Sequence, residues 1–138
     1  MAFWKFKISY ICSQNHKVMK SQAGKDKLSI IIQLVEKKGL EAKNLIQELK
    51  ELREIAKTEN DPLVVKILRY CFEYLEQNES FDVQGQFEED EEGNVSPIEV
   101  TSDKDNLLYV LSLLQHPEQR INREELCDYR DALKNSLY

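Results

Sequence analysis

Two residues close in the chain, Cys12 and His16, are the first that invite chemistry. A thiolate and an imidazole four positions apart can form half of a zinc site, but a structural zinc site closes with four ligands, normally two close pairs. The remaining candidates, Cys71, Cys127 and His116, lie far away and supply no second pair. No metal is assigned. A cysteine nucleophile built from a thiol, an imidazole and an acid is also conceivable, because such groups assemble from distant positions. No local signature supports it, so Cys12 or His16 near the basic start carries only the least favoured reading, a Cys/His-dependent enzyme. Cys71 and Cys127 fall on apolar helical stripes, where a thiol behaves as a small hydrophobe. His116 suits a helix C-terminus, which favours a cation. Gly24, Gly39, Gly85 and Gly93 are isolated, so no phosphate-cradling loop exists and no cofactor is expected.

The densest chemical feature is acidic: Glu88, Glu89, Asp90, Glu91 and Glu92 are consecutive. General acid/base catalysis needs two carboxyl groups held in a water-poor pocket with separated pKa values. A calcium loop needs alternating Asp/Asn ligands. Neither pattern is present. These five acids are the candidate partner-binding residues, and no catalytic residue is assigned.

The chain has 138 residues and a net charge of −6. The charge is uneven: residues 1–25 carry Lys5, Lys7, Lys17, Lys20 and Lys25 with no acid, leaving −11 for the rest. A net negative protein repels phosphate backbones, which disfavours nucleic acid as a partner. The aromatics and lysines of residues 4–10 resemble a base-stacking platform only superficially, because Trp4, Phe6 and Tyr10 share one parity and Lys5 and Lys7 the other. No apolar run reaches 18 residues, so no membrane span is expected. The start shows neither an unbroken apolar stretch nor a small-residue cleavage site. An odd number of distant cysteines argues against a disulfide scaffold and points to a reducing cytoplasm.

The length suits one domain over residues 1–138. Trp4, Phe6, Ile8 and Tyr10 alternate with polar residues and predict a strand. Residues 13–24 read as a loop. Leu28, Ile31, Ile32 and Val35 predict a helix over 25–38, ended by Gly39. Leu45, Leu49, Leu52 and Ala56 predict a second over about 41–57. Asp61 and Pro62 are an N-cap and a first helical residue for a third, over 62–77. Phe81, Val83, Gly85 and Phe87 alternate, predicting a strand over 81–87. A second strand over 95–100 contains Pro97 and must be an edge or bulged. Residues 88–94 form the turn between them. Ser102 or Asp103 caps a fourth helix over 103–115, which Pro117 stops. Asn122 and Glu125 read as the capping box of a last helix.

The expected fold class is therefore α+β: about five helices packed on a small antiparallel sheet, made of the N-terminal strand plus a hairpin near residues 81–100. The functional expectation is a non-enzymatic protein-binding module, such as an acidic inhibitor, an immunity-like protein or an adaptor. It would engage a basic, nuclease-like or other cationic partner surface through Glu88, Glu89, Asp90, Glu91 and Glu92. The alternative is a homo-oligomeric structural or regulatory subunit, because helices 62–77 and 103–115 are apolar over more than one face.

Overall fold

The first helix of the described residues begins after Ser21, which is extended and whose Oγ accepts the Gly24 amide at 3.1 Å. The computed structural model describes residues 21–99 and 102–138. The strand expected at residues 4–10, most of the loop after it, Cys12 and His16 lie outside the described residues. Helix α1 runs Gln22–Lys38 and closes on Gly39, whose φ of 67° suits a residue without a Cβ. It starts earlier than the apolar stripe indicates, because the cap lies in the polar stretch read as a loop. A 3₁₀ turn, Gly39–Glu41, leads to α2, Leu45–Lys57. Helix α3, Pro62–Asn78, is opened by Asp61, which accepts the Leu63 amide at 3.1 Å. Helix α4, Asp103–Gln115, is capped by Ser102, and α5 runs Arg120–Leu137.

The five helices of the described residues form a closed ring of neighbours. Helix α1 packs on α2 and α4, α2 on α3, α3 on α5, and α5 on α4. Each sends its apolar stripe inward: Leu28, Ile31 and Val35 from α1, Leu45, Leu49, Leu52 and Ala56 from α2. Helices α3 and α4 contribute most, which is why both read as apolar on more than one face. Val64, Ile67, Leu68 and Cys71 are buried on α3, and Leu107, Val110, Leu111 and Leu114 on α4. The other helices of the same chain cover these faces.

The sheet is smaller than its sequence pattern. Strands β1, Phe87–Glu89, and β2, Val95–Pro97, pair antiparallel, with Phe87 opposite Pro97, Glu88 opposite Ser96 and Glu89 opposite Val95. Among the described residues Pro97 sits on a two-stranded ribbon, where each strand is an edge and a missing N–H is tolerated. Residues 81–86 are not a strand, which corrects the expectation for 81–87. They alternate in burial, with Phe81, Val83 and Gly85 inside and Asp82 and Gln84 outside. However, the carbonyls of Phe81 and Val83 accept from a helix side chain, Asn106, and among the described residues not from a neighbouring strand. The alternation reports a chain wedged against helices. The expected cap of the last helix is also corrected. Gln119 is the N-cap, while Asn122 lies within the first turn and donates to the His116 carbonyl at 3.0 Å.

Candidate functional site

The hairpin that carries the acids is held at its base by a buried polar network. Asn106 on α4 is fully buried, and its Nδ2 donates to the carbonyls of Phe81 at 2.9 Å and Val83 at 2.8 Å. Its Oδ1 accepts from the Tyr129 hydroxyl on α5 at 2.6 Å. That hydroxyl in turn accepts from Gln86 Nε2 at 3.0 Å. The network gives each of these groups, taken out of water by folding, a partner. Gly85 lies flat on the Tyr129 ring; a Cβ there would sit 2.4 Å from Cδ1. Just before it, Tyr74 donates to Asp82 and packs edge-on against Phe81. The polypeptide entering the hairpin is thus fixed by three helices: α3, α4 and α5.

Beyond that base the strands leave the body. Glu88 and Glu89 lie on β1, and Asp90, Glu91 and Glu92 form the tip; all five are exposed. The tip is an ordered turn. The Gly93 amide donates to the Asp90 carbonyl at 3.1 Å, and Gly93 takes a φ of 87°. A left-handed glycine closing a short hairpin loop is a common solution. Asp90 is the residue that builds it: one carboxylate oxygen accepts the amides of Glu92 at 2.9 Å and Asn94 at 2.8 Å. Hydrogen bonds from the Asn94 backbone, then from its side chain and the Glu92 and Gly93 backbones, hold the Asp90 carboxyl below its ordinary value.

The five acids therefore separate into one that shapes the turn and four that do not. Among the described residues no lysine, arginine or histidine forms an ion pair with Glu88, Glu89, Glu91 or Glu92. Their mutual repulsion is borne by solvent. The sequence pattern also missed the apolar side chains beside them. Phe87 is 44 % exposed and Val95 66 %, and the pairing register places both with Pro97 and Glu89 on one face. The signal was present in the alternation of Phe87 with the acids, but it reads equally well as a core-facing strand.

The other chemical candidates are dispersed. Cys71 is buried between helices and its thiol is pushed up to about 12 by desolvation, so it is not a nucleophile at neutral pH. Cys127 is half-buried on α5. His116 is exposed at the end of α4, with Nδ1 at 3.6 Å from Glu118. No group of three His, Cys, Asp or Glu among the described residues is arranged to hold a metal. No described helix is long and apolar enough to cross a membrane.

Comparisons with protein-family models, with curated proteins and with solved structures returned no match.

Proposed function

We propose that the chain is a non-enzymatic protein-binding module of the inhibitor, immunity-protein or adaptor kind, engaging a basic protein surface with the hairpin of residues 87–97. The observation that carries this reading is the state of Glu88, Glu89, Glu91 and Glu92. They are exposed on β1 and the ordered turn after it, and have no counter-cation among the described residues. Like charges held together in this way raise a local negative potential that steers cationic partners and accelerates encounter. The neighbouring apolar side chains, Phe87 and Val95, give short-range contact once the encounter has formed.

A homo-oligomeric reading drew on the apolar faces of α3 and α4. Those faces are buried within one copy of the chain, and the large exposed apolar residues lie elsewhere, at Ile30, Phe87, Val95, Ile98, Ile121 and Tyr138.

The test is capture from native lysate at low and high salt, with wild type and a Glu88→Gln/Glu89→Gln/Glu91→Gln/Glu92→Gln variant. Asp90 is left in place because it shapes the turn. A cationic protein retained by the wild type at low salt, and lost both at high salt and by the variant, supports the reading. Equal retention of the same protein by both forms contradicts it.

A further inference from the structure

Phe87 and Glu89 carry backbone groups that the hairpin itself does not use. The Ile98 amide donates to the Gln86 carbonyl at 2.8 Å, and the Asp90 amide to the Asn94 carbonyl at 3.0 Å. The hydrogen-bonded pairs therefore fall on Gln86, Glu88 and Asp90 of one strand and on Ile98, Ser96 and Asn94 of the other. The residues between them turn their N–H and C=O groups outward. On β1 these are Phe87 and Glu89, each with a donor and an acceptor. On β2 they are Val95 and Pro97, and proline has no N–H to offer. Every residue of both strands is exposed, and no hydrogen bond from the described residues reaches the Phe87 or Glu89 backbone.

We infer that this open edge of β1 takes up a short extended segment of the partner protein as a third strand, one with two consecutive cations beside an apolar residue. The inference rests on the reading that the hairpin meets a cationic protein, and adds how the two are held in register. An edge strand is a template for another chain: main-chain bonds hold the guest, and alternate side chains select it. Side chains directly across a ladder lie about 4.5–5.5 Å apart at Cβ. A guest on β1 thus sets one residue beside Phe87, where an apolar side chain fits. Its next two residues lie beside Glu88 and Glu89, which form no ion pair among the described residues. The same charges decide against a second copy. Antiparallel pairing of β1 with itself about Glu88 sets that residue against its own copy, and like charges across a ladder repel. Pairing over 3 residues makes few bonds, so a segment cut from its protein binds weakly and is tested at millimolar concentration.

The probe is a synthetic hexapeptide with blocked ends, Thr-Val-Lys-Lys-Val-Thr, which offers the apolar, cation, cation order in either strand direction. Its companion is the same peptide N-methylated at every residue, equal in charge but without amide donors. Both are titrated into the isotope-labelled full chain, and binding is read from amide chemical shifts and from hydrogen exchange at residues 87–89. Expected with the plain peptide are slowed exchange at the Phe87 and Glu89 amides and little change at Glu88, whose amide already faces β2. The N-methylated peptide should bind about tenfold more weakly or worse, because main-chain hydrogen bonds are lost. Equal binding of the two peptides, or no binding of the plain one, overturns the inference. So do Phe87 and Glu89 amides already slow in the free chain, which would assign the edge to another segment of the chain, or to a second copy where the slowing vanishes on dilution. The salt-dependent capture reports separately on the underlying reading. A cationic partner still lost with the Glu88→Gln/Glu89→Gln/Glu91→Gln/Glu92→Gln variant, beside two peptides that bind equally, sinks strand addition and leaves that reading standing.

Discussion

The Tyr129 hydroxyl donates to Oδ1 of Asn106 at 2.6 Å, joining α5 to α4 behind the base of the hairpin. This bond completes the polar valence of a fully buried asparagine whose amide holds the Phe81 and Val83 carbonyls. Asn106→Ala strands two carbonyls and the phenol together, so it should cost about 3 kcal/mol, since each buried unsatisfied group costs ~1–3 kcal/mol. Tyr129→Phe removes only the hydroxyl and should cost less, about 1–2 kcal/mol. Urea denaturation of both variants checks the order, and a larger loss for Tyr129→Phe contradicts it.

Gly85 touches the ring of the same tyrosine. An added Cβ would lie 2.4 to 2.7 Å from three Tyr129 ring atoms, so either the ring or the hairpin must move. Gly85→Ala is expected to destabilise by about 1–3 kcal/mol, as overpacking of a tight contact does. Gly93→Ala, where the nearest atom is a Glu89 oxygen at 3.7 Å, meets no such clash and is penalised only by its positive φ. Thermal melts of the two variants separate crowding from backbone strain.

Asp61 and Arg123 form a second buried tie. Arg123 grips both carboxylate oxygens, one at 2.7 Å, and also donates to the Pro117 carbonyl at 3.3 Å. Asp61 is 2 % exposed and simultaneously caps α3. Arg123→Ala leaves that carboxylate buried with the Leu63 amide, a loss on the order of 3 kcal/mol. Urea denaturation at neutral pH checks this, and a variant as stable as wild type would contradict the role of the pair.

Alkaline pH should unfold the protein through its tyrosines. Desolvation first, then the nearby Asp82 carboxylate, raises Tyr74 from 10.0 to about 12. Desolvation raises Tyr129 to about 12 against the opposing Gln86 hydrogen bond, and desolvation with Glu125 beside it raises Tyr109 further. A folded value above the unfolded one means that the fold favours the neutral phenol. The stabilisation is then complete below pH 10 and is lost as pH climbs through the folded values. Tyrosinate absorbance should rise together with loss of helical circular dichroism; ionisation of all tyrosines in an intact fold would refute the coupling.

These ties show what a linear pattern can and cannot encode. Helices α3 and α4 were legible because apolar periodicity, the Asp61–Pro62 start, the Ser102 cap and the Pro117 stop agree locally. The segment 81–86 was half legible. Alternation reveals which side chains are buried but not whether a strand or an asparagine donates to the backbone carbonyls. Asn106 gave a signal that could have been used, since a polar residue four before Val110 lies on the buried stripe of α4. Asp61 and Arg123 are 62 residues apart and nothing local announces their pairing. For the hairpin, the acidic tip was plain, while Asp90's separate part in the turn depends on backbone geometry that composition does not specify.

The association rate of the chain with its captured cationic partner, followed across a salt series, tests the central claim most directly. Wild type should bind fast at low salt and slow steeply as salt rises. The variant with Glu88, Glu89, Glu91 and Glu92 changed to Gln should start about tenfold slower or more and show a flattened slope, as expected where steering is electrostatic. Identical rates and slopes for the two proteins would contradict the account.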